Sequence, residues 1–167
     1  DPVEGLKFIL SPPLRAKEHQ EAIWQGIKDG TVQVIATDHC SFDFHGDKQN
    51  GKDDFTKCPN GAPGVETRMP IVFSEGVSKG RLSLNEFAAV TSTNPAKIFG
   101  MYPKKGVLAP GSDADIVLMN PDMEVTITKN ILHENVDYTP YEGIQVKGWP
   151  VMTMVRGQAV VENERLQ

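Results

Sequence analysis

The apolar run Val34-Ile35-Ala36 ends on Thr37-Asp38-His39-Cys40, three of whose side chains ionise or ligate. The Asp38 carboxylate suits a hard or borderline metal ion, or a general base acting on a metal-bound water. His39 and Cys40 are further candidate ligands. Neighbours on an extended chain point to opposite sides, so Asp38 and His39 do not close on one ion together. The plain reading stands beside this one: Asp after a strand is a common turn former or helix cap. Asn60-Gly61 and Pro63-Gly64 mark tight backbone bends. They read either as simple turns or as a rigid loop that offers backbone N–H and C=O groups to a flat, amide-rich ring. Ser11, ahead of Pro12-Pro13, either adds a hydroxyl or carbonyl to such a site or only stops a strand. Cys40 and Cys58 lack zinc-finger spacing. His19 and His45 read as solvated, and His133 has no partner visible in the sequence.

The elements that must position these residues fall into two halves. In the first, to about Lys104, Leu6 to Leu10 reads as a short buried strand closed by Ser11-Pro12-Pro13. Lys17 to Lys28 predicts a helix with Ala22, Ile23, Gly26 and Ile27 on one face and Gly30 after its end. Val32 to Ala36 predicts a second buried strand. This strand–helix–strand pattern implies parallel strands, and parallel α/β folds carry their sites at the C-terminal strand ends, here Ser11 and Asp38. Residues 40 to about 66 form a long polar loop, of the kind that is either functional or disordered. Helices are predicted near 66–79, 83–92 and 95–101. Ser83 and Glu86 make a capping box, and Asn94 stands as a cap before Pro95. From Gly106 the pattern turns to short strands: Ala114 to Met119, Val125 to Thr128, Val151 to Val155 and Ala159 to Glu162. Arg156-Gly157-Gln158 reads as a hairpin turn, and Pro110-Gly111-Ser112-Asp113 as another. No internal repeat or low-complexity segment is seen.

Bulk properties narrow the classes. The chain has 167 residues, 17 basic and 22 acidic, for a net charge of -5. No basic stripe exists, which argues against nucleic acid. No apolar run approaches the roughly 20 residues that span a bilayer, and no signal-peptide pattern opens the chain. Two cysteines make no disulfide framework, so a reducing, cytoplasmic home is expected. The opening Asp1-Pro2-Val3, without Met, is expected of a processed product or a piece of a longer chain.

Five stretches in order carry a resemblance: SPPLR (11–15), ATDHCSF (36–42), GKDDFTKCPNGAPGVETRM (51–69), STNPAKIFG (92–100) and KGVLAPGSDADIVL (105–118). Together they resemble the C-terminal part of the dihydropyrimidinase/D-hydantoinase family of cyclic amidohydrolases, over essentially the whole chain. The first and third stretches are the most specific. The resemblance implies an α/β fold: residues 1–104 as the C-terminal portion of a (β/α)8 TIM-like amidohydrolase barrel, and residues 105–167 as part of a small β-sandwich with a C-terminal arm. It implies an enzyme of pyrimidine degradation type, opening a dihydropyrimidine or hydantoin ring to an N-carbamoyl amino acid. It implies two zinc ions bridged by a carbamylated lysine. Asp38 matches the family's aspartate that binds the more buried metal and shuttles the proton. Ser11 and Asn60 match positions that hold the substrate ring through main-chain hydrogen bonds. His39 and Cys40 complete the motif without being carried over as ligands.

The family's other ligands, four histidines and the carbamylated lysine, match nothing in this chain. One carboxylate does not hold two zinc ions, and two strands do not close a barrel. The chain alone is therefore expected to be inactive and poor in metal. The parent is expected to take a small cyclic amide, to bind neither nucleic acid nor membrane, and to assemble as a homotetramer. Two further readings come from other classes: a non-catalytic relative like the collapsin response mediator proteins, or a stand-alone interaction module. Retained Asp38 and Asn60 argue against the first. Dihydroorotase and allantoinase are nearer rivals, against which the PNGAPGVETR loop favours dihydropyrimidinase or hydantoinase. Asn135 to Gly143 reads equally as an arm reaching a neighbouring subunit or as a surface loop with Tyr138 and Tyr141 tucked onto their own domain.

Overall fold

A computed structural model describes residues 3–162 and 165–167. The chain divides into two compact units, each built from three segments. The first comprises Asp1–His19, Thr37–Arg68 and Thr126–Gln145; the second comprises Gln20–Ala36, Met69–Val125 and Val146–Gln167.

The first unit is mostly irregular chain around a small core. Leu6, Phe44, Cys58 and Tyr138 are buried together, with Val3 and Ile9 against them. Leu6 to Leu10 is not a strand. Glu4–Phe8 is a 3-10 helix, whose turns close through Leu6 N–H to Val3 O and Ile9 N–H to Leu6 O. Five apolar-rich residues fit either form, and a strand exists only where a neighbour supplies the ladder. The long loop is ordered by local turns. Asp47–Gly51 and Phe55–Lys57 are 3-10 helices, the second capped by Asp54, which accepts from Thr56 N–H. Asp137 joins the late segment to this loop. Its carboxylate accepts from Phe44 N–H at 2.6 Å and from His45 N–H at 2.9 Å, and meets the His45 ring at 2.7 Å. His45 is thus exposed but paired. Tyr138 is buried and its hydroxyl donates to Lys7 O, so it packs on its own unit.

The second unit holds the regular structure. Helix α1 is Glu18–Lys28, and Asp29 and Gly30 follow it, as predicted. Val32–Ala36 forms no strand and pairs in no ladder; Val32 N–H returns to Gly26 O and Ile35 N–H reaches Val90 O. The expected βαβ unit is therefore absent among the described residues. Helix α2, Arg68–Val72, continues as a π-helical stretch, Phe73–Ser78. Helix α3, Leu84–Ala88, opens on the predicted capping box and runs through a π-helical stretch, Ala89–Thr93, into α4, Asn94–Ile98. Asn94 does not cap: its backbone is helical and its side chain donates to Gln33 O. The π turn takes in an extra residue just where Pro95 lacks an N–H and crowds the preceding turn, so the helix passes the proline unbroken. It stops at Gly100, whose φ of 69° is open to glycine at little cost.

Four strands form one sheet in the order β1-β2-β3-β4: β1 Ile116–Thr126, β2 Gln145–Val155, β3 Gln158–Glu162 and β4 Arg165–Leu166. The predicted strands at 114–119 and 125–128 are one long strand. Pro121 is tolerated inside β1 because that strand lies at the sheet edge. β2 and β3 are antiparallel, with Val155 opposite Gln158. The turn between them holds Arg156 at φ 51° and Gly157 at φ 81°, as a tight hairpin requires. Ile27, Leu82 and Val90 make one apolar cluster of this unit; Val72, Phe73 and Phe87 make another, with the two rings edge to face at 5.4 Å.

Candidate functional site

Ser11, Asp38 and Asn60 come from separate stretches, yet all three line one cavity of the first unit, of about 550 Å³. Phe8, Leu10 and Tyr141 give it apolar walls. The walls are stitched by backbone bonds. Gly61 N–H donates to Ile9 O at 3.1 Å, and Cys40 N–H donates to Ala62 O at 3.2 Å. These bonds hold the segments bearing Ser11, Asp38 and Asn60 edge to edge. Gly61 is required here, because a Cβ on it would collide with the Cys40 carbonyl.

Asp38 sits at a bend. The Thr37 hydroxyl accepts from His39 N–H at 3.2 Å, closing a small turn. Asp38, inside that turn, has φ 49°, a left-handed conformation that costs most side chains energy and Asp somewhat less. Such strain persists where the surroundings over-determine it. Asp38 itself is exposed at the cavity wall.

His39 has a different task. Its Nδ1 accepts from Gly64 N–H at 3.1 Å and Val65 N–H at 3.3 Å. These two bonds occupy Nδ1, which is spent on the loop rather than open to a metal. Glu134 Oε1 lies 3.8 Å from the same nitrogen, too far for a hydrogen bond. His133, without a partner visible in the sequence, meets Glu66 Oε1 at 2.7 Å. Cys40 and Cys58 are both free, the first exposed and the second buried. Among the described residues no three His, Cys, Asp or Glu side chains gather as a metal-binding group. Asp38 is a fitting oxygen donor, but this chain by itself does not fit a complete metal centre.

Sequence reasoning missed the wall residue Tyr141 as a cavity group. Burial, and then the Glu134 carboxylate, push its hydroxyl above the ordinary tyrosine value, so it is a neutral donor at physiological pH. It also missed Lys48, a lysine in a polar stretch that reads as surface but is fully buried.

Comparison with known proteins adds an independent finding. The amidohydrolase family model matches residues 5–160. The chain is 50% identical over 97% of its length to the D-hydantoinase of Geobacillus stearothermophilus, and spans 34% of that protein. It is 49% identical over 96% of its length to a D-phenylhydantoinase of Escherichia coli O1:K1, spanning 35% of it. Among solved structures, the dihydropyrimidinase of Brevibacillus agri NCHU1002 superposes with a TM-score of 0.96 at 52% identity, over 98% of this chain and 35% of that one. The chain thus spans about a third of the length of the relatives it matches.

Proposed function

The chain belongs to the amidohydrolase family, and from that footing we propose that it forms the substrate-facing C-terminal part of an enzyme that opens cyclic amides. The ring is a dihydropyrimidine or a hydantoin, and the product an N-carbamoyl amino acid. The observation that carries this reading is the convergence of Ser11, Asp38 and Asn60 on one apolar-walled cavity. Identity near one half to a D-hydantoinase supports the same substrate class.

Members of this family are generally metal-dependent, and we take zinc as the metal, with its other ligands outside this chain. When bound, the metal would supply an activated nucleophile and a polarised carbonyl. Asp38 contributes one oxygen ligand and moves the proton: its carboxylate accepts it from the attacking group and returns it to the leaving ring nitrogen. Ser11 and Asn60 hold the ring through main-chain groups. Phe8, Leu10 and Tyr141 exclude water from the ring's apolar edge. Residues 1–104 are proposed to complete a (β/α)8 barrel with further chain, and residues 105–167 a composite β-sandwich. A cytoplasmic setting fits two unpaired cysteines, and no helix among the described residues is long and apolar enough to cross a membrane. A homotetramer of the whole enzyme completes the proposal.

The test uses the longest natural polypeptide that contains this chain. Ring opening of dihydrouracil and hydantoin is followed by the loss of ring absorbance. Asp38→Asn is expected to lower kcat by about a thousandfold, the scale of losing a proton carrier and ligand. A wild type that opens neither ring, or an Asp38→Asn variant that keeps its rate, would sink the proposal.

A further inference from the structure

Lys48 has no exposed surface, and its side chain is the largest of those fully buried among the described residues. A buried ammonium is costly unless its donors are matched. Nζ donates to Ile9 O at 2.9 Å and to Pro59 O at 2.7 Å, and lies 5.9 Å from the centre of the Phe42 ring. Burial pushes the amine below the ordinary lysine value. None of the steps given to Ser11, Asp38 or Asn60 uses this group.

Its two acceptors are placed with consequence. Ile9 lies two residues before Ser11, and its carbonyl is shared with Gly61 N–H. Pro59 is bonded directly to Asn60. The Pro59–Asn60 peptide is trans, so its C=O and N–H point in opposite directions. The carbonyl is drawn inward to Lys48, and the Asn60 N–H is therefore turned the other way. Asn60 lines the cavity and Pro59 does not. The Asn60 N–H finds no acceptor among the described residues. A hydrogen bond from a charged donor also polarises the peptide it touches, which strengthens the N–H at its other end.

We propose that Lys48 is a positioning residue: its ammonium, held between the Ile9 and Pro59 carbonyls, aims and polarises the Asn60 N–H toward a ring carbonyl of the substrate. This rests on the reading that the cavity takes a cyclic amide. Lys48 needs no contact with substrate. It acts through one peptide plane, and it locks the Ser11 and Asn60 segments at a fixed spacing. Because the group it serves meets the ring in the ground state as well as in the transition state, its loss weakens binding more than turnover.

The experiment compares wild type, Lys48→Met and Lys48→Arg in the longest natural polypeptide containing this chain. Steady-state kinetics on the better cyclic amide, metal content and a crystal structure of each are read together. Lys48→Met keeps the stem and loses the charge; KM is expected to rise about tenfold while kcat and metal content stay near wild type. The Pro59–Asn60 peptide is expected to rotate in the same variant. Lys48→Arg keeps the charge but displaces it, so a smaller rise of about threefold is expected. If Lys48→Met does not fold, the Arg variant carries the test alone. A lysine that merely stabilised the fold would lower the active fraction, and so apparent kcat, with KM unchanged and the peptide in place; that result overturns the proposal. A wild type that opens no cyclic amide overturns the proposed function as well, whereas an active wild type with unaltered KM in the folded variants overturns only the role of Lys48.

Discussion

The residues of the first unit act mainly by satisfying backbone groups. Asp137 is the clearest case. Burial alone would raise its carboxyl, but the N–H groups of His45 and Phe44, and then the His45 ring, override it and hold the carboxyl below the ordinary range. A carboxyl depressed by folding stabilises the fold above its unfolded value of 3.8, and that contribution is lost as pH falls through the folded value. Asp137→Asn is accordingly expected to lower the urea midpoint at pH 7, by about 1–2 kcal/mol in stability, and to converge with wild type in acid. Equal midpoints at pH 7 would show that the loop is held otherwise. His39 illustrates a limit of reading chemistry from residue type. Its neighbourhood suggests a ligand, but its Nδ1 serves Gly64 and Val65 N–H. Lys48 shows the reverse, a residue type that signals surface while its place in the fold makes it interior.

Local chemistry set the elements where it was complete within a few residues. Ser83 Oγ accepts from Glu86 N–H, and Glu86 accepts from Ser83 N–H at 2.7 Å, both as the Ser-x-x-Glu pattern predicts. Ser83→Ala is expected to lower Tm by roughly 2–4 °C. Because Ser83 belongs to the second unit and touches no wall of the cavity, KM for a cyclic amide is expected to stay constant in the same variant. A Tm equal to wild type would mean that water caps the helix equally well. The hairpin at Arg156-Gly157 was legible for the same local reason. The two expected strands were not. Leu6 to Leu10 and Val32 to Ala36 carry strand-like composition, but a strand is a pairing, and composition names no partner. The start at Asn94 failed because a π turn lets the preceding helix absorb Pro95.

For the whole molecule, each of the two compact units is built from segments that are distant in sequence. Large apolar side chains stay exposed on the sheet, among them Val117, Leu118, Val155 and Leu166. Asp38 alone is too small a donor set for a metal site. Zinc per 167-residue chain after dialysis is therefore expected to be near zero by elemental analysis, and cyclic-amide hydrolysis absent. One or two equivalents would require a site assembled from Asp38, His39, Cys40 and other local groups, and would overturn that expectation. By itself the sequence determined the family, through motifs in a fixed order, and it singled out Ser11, Asp38 and Asn60 as candidates. It also determined the helix at Glu18–Lys28, the capping box and the tight hairpin, since each is decided by side chains within one or two turns of chain. Only the tertiary structure decided that those three residues share a cavity, that Tyr141 closes its wall, and that Lys48 binds Ile9 O and Pro59 O beneath it. Those facts depend on which backbone groups meet across long loops. That meeting is set by packing and hydrogen-bond satisfaction over the whole unit, which no local pattern encodes.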